Sequence, residues 1–213
     1  MRFQIPVLIA AITFAGSLHA QGIRVNAIGG YTFKDRFPIS TTVGTLDASI
    51  ASAGIFGGGL EFMPNDDYGL EVYYVGMPTT GNVRLLSQSH TENVLVSYIM
   101  LGGVRYANSG GMASPFGGLS LGAAIFDGET VSKTFFSWGL RGGVLLQVSD
   151  AVGIRIGAQL HSPVQAFGAG LYIGTGGVGG GVQTFSTIYQ FAFNGGLAFT
   201  FGKKPDGSDG YIR

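Results

Sequence analysis

Between Phe136 and Val148 the chain reads FSWGLRGGVLLQV, with Phe136, Trp138, Leu140, Val144, Leu146 and Val148 separated by Ser137, Gly139, Arg141, Gly143 and Gln147. Successive side chains of a strand point to opposite faces, so a period of two makes a ribbon with one apolar face and one small or polar face. The same period recurs in about eight segments, the pattern of a transmembrane barrel. They are 22–33, 50–62, 68–77, 93–106, 116–126, 136–148, 152–162 and the closing stretch QFAFNGGLAFTF that ends at Phe201. In the first, Ile23, Val25, Ala27, Gly29, Tyr31 and Phe33 would face outward, with Arg24, Asn26, Gly30 and Thr32 inward.

Composition decides which solvent the apolar face meets. Charged residues make up only 11% of the chain, against about 25% in an ordinary soluble domain, and mean hydropathy is +0.34. No segment after the first twenty residues has the apolar length of a spanning helix, and the closed barrel is the other structure that can cross a bilayer. A secreted β-sandwich would turn its polar face to water; here glycine dominates that face, which suits the crowded interior of a narrow barrel. The expected fold is therefore all-β: a closed, antiparallel, up-and-down transmembrane barrel of about eight strands in the bacterial outer membrane. Residues 1–20, with Arg2, an apolar run from Ile5 to Phe14 and Ala20 before Gln21, have the form of a cleaved signal peptide. The barrel is then expected over 21–202 and a short periplasmic tail over 203–213.

The connections fit this plan. Tight turns are expected near 64–67, 107–115 and 149–151, with longer outer loops over 34–49, 78–92, 127–134 and 163–183, and both barrel ends on the periplasmic side. Pro38, Pro64, Pro78, Pro115, Pro163 and Pro205 fall at segment ends or between segments, as a hydrogen-bonded ladder requires. Tyr31, Phe33, Phe62, Tyr68, Tyr106 and Phe136 lie near segment ends, where aromatic rings suit the lipid interface.

Two stretches, MLGGVRYANSGGMASPFGGLSLG from Met100 to Gly122 and LYIGTGGVGGGVQTFSTIYQFAFNGGLAFTFGK from Leu171 to Lys203, resemble a periplasmic hairpin and the last loop with closing strand of a known family. The chain resembles the small outer-membrane β-barrel domain family of Bacteroidota-type bacteria, distantly similar in plan to the outer-membrane protein A barrel. The resemblance implies insertion by the barrel assembly machinery through the closing strand ending at Phe201, in outer-membrane lipid and as a monomer. The tail that follows Phe201 departs from barrels that end at this aromatic, which implies an internal signal.

Chemistry is sparse. The ionisable residues expected inside form one set: Arg24, Glu61, Glu71, Arg105, Arg141 and Arg155. An eight-stranded barrel is just wide enough for side chains to fill it, and a charge buried without a partner costs several kcal/mol, on the order expected for desolvation. Glu61 and Glu71, bracketed by the arginines, are expected to close the lumen. His161 beside Ser162 raises lipid hydrolysis, but adjacent strand residues face opposite ways, and no orienting acid stands nearby. His90, near Ser87, Ser89 and Glu92, reads as a loop residue. GTGGVG at 174–179 matches a dinucleotide fingerprint in letters only, because no helix pattern follows and no Asp or Glu occurs between Ala151 and Pro205. Zero net charge without a basic cluster argues against nucleic acid, and the absence of cysteine removes thiolate chemistry. The expectation is a non-enzymatic barrel without cofactor or metal, in a structural or surface-interaction role. A narrow channel for small solutes or ions, and a lipid-modifying enzyme, are the alternatives.

Overall fold

The computed structural model describes residues 22–41, 44–85, 88–107, 111–128, 132–164 and 188–202, with backbone alone over 36–48 and 82–90. The expected signal peptide (1–20), tail (203–213) and glycine loop (174–182) lie outside the described residues, as does the His90 side chain. The strands are β1 (Gly22–Thr32), β2 (Asp35–Thr41), β3 (Gly44–Ile50), β4 (Ala53–Met63), β5 (Tyr68–Leu85), β6 (Gln88–Tyr106), β7 (Ala113–Gly128), β8 (Ser132–Gln147), β9 (Val152–Val164) and β10 (Gln190–Phe201).

Around the wall the order is β1, β4, β5, β6, β7, β8, β9, β10 and back to β1, each pair antiparallel, so eight strands close on themselves. Closure leaves this ring without an edge, which is what a bilayer demands of strands. β2 and β3 continue β1 and β4 as a hairpin at the loop end, and β3 rejoins β5 from Asp47↔Arg84 to Ile50↔Gly81.

Two of the expected outer loops are thus paired strands. Residues 34–49 are mostly the β2/β3 hairpin, and β5 and β6 stay in register through 78–92 as far as Leu85↔Gln88. Their sequence, PTTGNVRLLSQSHTEN, lacks the apolar alternation because both faces of such an extension can be polar. Several prolines consequently lie within strands. Pro38 sits in β2, whose second edge has no partner among the described residues. Pro78 sits between the β4/β5 ladder, which stops at Phe56↔Gly76, and the β3/β5 ladder, where its missing N–H leaves no gap in a ladder. Pro64 lies in the β4/β5 turn, held by Asn65 Oδ1 accepting from the Asp67 and Tyr68 N–H groups at 3.1 and 2.9 Å.

Exterior and lumen alternate as the period of two requires. Leu60, Leu70, Val72, Ile99, Leu101, Leu119, Leu121, Ile156 and Phe193 are exposed on the outside. Of the expected interface aromatics, Tyr31, Phe33, Tyr68 and Phe136 are exposed, but Tyr106 is not: it is buried in the lumen. The lumen is filled unequally. β5 and β6 send in Tyr73, Val75, Met77, Val96, Tyr98, Met100, Val104 and Tyr106, while Gly57, Gly59, Gly143, Gly157 and Gly196 stand at inward positions of β4, β8, β9 and β10. A Cβ at Gly143, Gly157 or Gly196 would strike the carbonyl oxygen of Ile156, Gly142 or Ala27 on the neighbouring strand, so these positions admit no side chain. The bulk sent in by β5 and β6 is the complement of these glycine positions on the other strands.

Candidate functional site

The lumen is stacked in layers. A small apolar cluster of Val104, Tyr106, Phe116, Leu145 and Ala198 lies toward the turn end. A larger one, including Ile50, Ile55, Val75, Met77, Val96, Phe126, Phe135 and Ile188, lies toward the loop end. The charged residues lie between them.

The strand register assembles the ionic layer. Glu61 and Glu71 face each other across β4 and β5, and Arg24 stands opposite Glu61 on β1. Both carboxylates are 0% exposed, so water cannot solvate them and the arginines must. Arg24 Nη1 reaches Glu61 Oε2 at 3.4 Å, and Arg155 Nη1 lies 3.1 Å from Glu71 Oε2 and 3.9 Å from Glu61 Oε2. Arg141 Nη2 donates to Glu71 Oε2 at 2.5 Å. Asn26 Nδ2 bridges the two acids, 3.3 Å from Glu61 Oε2 and 3.2 Å from Glu71 Oε1. Tyr106 donates its hydroxyl to Glu61 Oε2 at 3.0 Å.

Each guanidinium also lies over an aromatic ring: Arg24 over Tyr106 at 5.0 Å, Arg141 over Tyr73 at 4.2 Å and Arg155 over Phe116 at 4.2 Å. The rings take the faces of cations whose edges are spent on carboxylates, an arrangement that gains strength when water is excluded. Glycines make room for the acids. A Cβ at Gly59 would lie 2.7 Å from Glu71 Oε1, and one at Gly69 would lie 2.8 Å from Glu61 Cδ.

A second polar layer lies on the loop side. Tyr73 Oη is 2.8 Å from Ser120 Oγ and 3.0 Å from His161 Nε2, and Tyr98 donates to Gln190 Oε1 at 2.7 Å. The His161 ring stacks on Tyr98 with centroids 4.5 Å apart and planes 17° apart. Gly139, opposite His161 in the ladder, leaves space for this: a Cβ there would come within 2.8 Å of His161 Cδ2.

Five of the six residues expected inside therefore converge, and Arg105 does not. It is exposed on the outer face, its guanidinium 5.6 Å from the Tyr68 ring. The stretch MLGGVRY offers apolar residues on both parities, Met100, Val104 and Tyr106 against Leu101, and burial went to the first set, which sends Arg105 outward. Near the turn end a long side chain can keep its charge at the interface. Tyr106 departs from the interface position for the same reason: its place at a segment end suits either side of the wall, and it lies inside. His161 and Ser162 point to opposite faces of β9 by alternation; His161 is taken up by Tyr73 and Tyr98, and Ser162 pairs with Trp138 across β8 and β9. No catalytic pair forms between them.

No family model matches the chain, and no curated protein matches it. Solved structures do. The outer membrane protein OprG from Pseudomonas aeruginosa is similar with a TM-score of 0.64 at 12% identity, over 86% of this chain and 97% of that one. Neisserial surface protein A is similar with a TM-score of 0.51 at 13% identity, over 85% of this chain and 97% of that one. At such identity the likeness concerns the fold. The apolar exterior found here suits the outer membrane that the first of these is named for. The chain is a closed, eight-stranded, antiparallel β-barrel of the outer-membrane kind, with a lipid-facing exterior and a buried ionic layer across its lumen.

Proposed function

We propose that this chain is an integral outer-membrane barrel protein whose lumen is closed by its own side chains, with a structural or surface-interaction role and no catalysis. The observation that carries this reading is the cross-section at Glu61 and Glu71. Two fully buried carboxylates, three guanidinium groups and their stacked rings occupy the bore there, with apolar clusters on both sides. A filled bore of this kind is what a strand number of eight dictates. In this reading the short-turn end faces the periplasm, and β10, ending at Phe201, is the strand read by the assembly machinery. The finer resemblance to the Bacteroidota-type barrel family belongs to the same proposal, carried by Met100–Gly122 and the closing strand.

Planar-bilayer conductance tests it. The wild-type protein should pass no measurable current, and the double variant Glu71→Ala, Arg141→Ala should stay near zero as well, because Tyr73, Tyr98 and Met77 still block the bore. A clear rise in ion current in either protein would overturn the closed lumen in favour of a narrow channel.

A further inference from the structure

Charge in the ionic layer does not balance. Arg24, Arg141 and Arg155 face only Glu61 and Glu71 there, a formal excess of one positive charge among the described residues of that layer. Arg155 is 7% exposed, and its Nη2 has no hydrogen-bond acceptor among the described residues. A low-dielectric bore penalises such an excess heavily.

Beside this excess lies a cavity walled by Arg141, Arg155, Gln159, Asn194 and Phe116. The register explains it. Gly157 lies opposite both Gly143 and Asn194, so the inward positions between Arg141–Gln159 and Leu145–Arg155 carry no side chain. Neither glycine can be filled, because an added Cβ would strike the adjoining strand. Asn194 Nδ2 donates to Gln159 Oε1 at 2.9 Å, which fixes the two carboxamides beside the space. Arg141, Arg155 and a fixed carboxamide thus border one side of a small space whose remaining wall includes Ala27, Ile28, Phe116, Ala158 and the Gly195–Gly196 backbone, with no carboxylate among its lining residues.

We propose that this cavity is a site for one small monovalent anion of halide size, held beside Arg141 and Arg155 on the side of the unpartnered Arg155 Nη2, and that the anion completes the charge balance of the lumen. The proposal rests on the closed-lumen reading, since a bore open to solvent would screen the excess charge. The site is structural: it stabilises the barrel and does not conduct.

The test uses the full barrel in detergent micelles. Thermal unfolding is followed in chloride or bromide, and in gluconate, an anion too large for the cavity, at equal ionic strength. Halide should raise the unfolding temperature saturably in the wild type. Gln159→Glu supplies the missing negative charge from the protein itself, so it should raise the unfolding temperature in gluconate and abolish the response to halide. Crystals grown in bromide should show an anomalous peak in this cavity, beside Arg141 and Arg155. Equal stability of the wild type in halide and gluconate overturns the proposal, and so does bromide bound only at the surface, whether or not Gln159→Glu folds. Conductance separates the two readings: a conducting barrel sinks the closed lumen, whereas a silent barrel without internal bromide sinks only the anion site.

Discussion

Glu71 Oε2 accepts from both Arg141 and Arg155, so its removal strands two buried cations together. Glu71→Ala should therefore cost about 3–5 kcal/mol, the range for breaking a buried pair from one side, read as a lowered urea midpoint in micelles. Removing Arg141 along with it relieves part of that cost, because Arg155 keeps Glu61 within 3.9 Å. Arg105 gives the control. It sits over Tyr68 on the exposed face, and Arg105→Ala should cost no more than about 1 kcal/mol, the scale of an exposed cation–π contact. Equal losses from Glu71→Ala and Arg105→Ala would show that the ionic layer contributes nothing particular to stability.

At the level of strands, glycine position decides what a substitution does. Gly143→Ala drives a Cβ into the Ile156 carbonyl of β9, and neither strand can yield without breaking its ladder. The expected loss is about 1–3 kcal/mol, as for overpacking in a core. Gly103→Ala and Gly117→Ala meet nothing within 4 Å and should leave the unfolding midpoint unchanged within about 0.5 kcal/mol, as surface substitutions do. Similar losses at Gly117 and Gly143 would contradict the assignment of faces. These faces were legible in the chain wherever lipid lay on one side. FSWGLRGGVLLQV and QFAFNGGLAFTF show their alternation directly, and of the six charges that the same period puts inside, five are there. Legibility ended where the contrast between the two faces weakened. The β5/β6 extension carries too few apolar residues to show its pairing, and β6 has apolar residues on both parities near Arg105. The Tyr73–His161–Tyr98 layer was hidden for another reason: it depends on which strands become neighbours across the bore, and the register of one strand says nothing of that.

For the whole molecule, the exterior is the feature that commits it to a membrane. Leu121, near the middle of β7, is 58% exposed, and Leu121→Arg should cost about 2–4 kcal/mol in bilayers, the range for a charge near the midplane of a barrel. Comparing urea unfolding of this variant in vesicles with that of Leu121→Ala checks it; matching midpoints would mean that β7 does not face lipid there. A closed barrel should also migrate differently in a denaturing gel before and after boiling, and an unchanged mobility would argue against closure. The unequal filling of the lumen has a further consequence for anyone wishing to turn this protein into a pore. Gly57, Gly59, Gly143, Gly157 and Gly196 have nothing left to trim, so at these positions of β4, β8, β9 and β10 the passage cannot be widened by truncation. Much of the volume that blocks it on one wall belongs to Tyr73, Met77, Tyr98 and Met100. A conducting version would have to be carved from β5 and β6, two neighbouring strands joined in a single hairpin, and would also have to shed Arg24, Arg141, Arg155 and His161, which reach across from β1, β8 and β9.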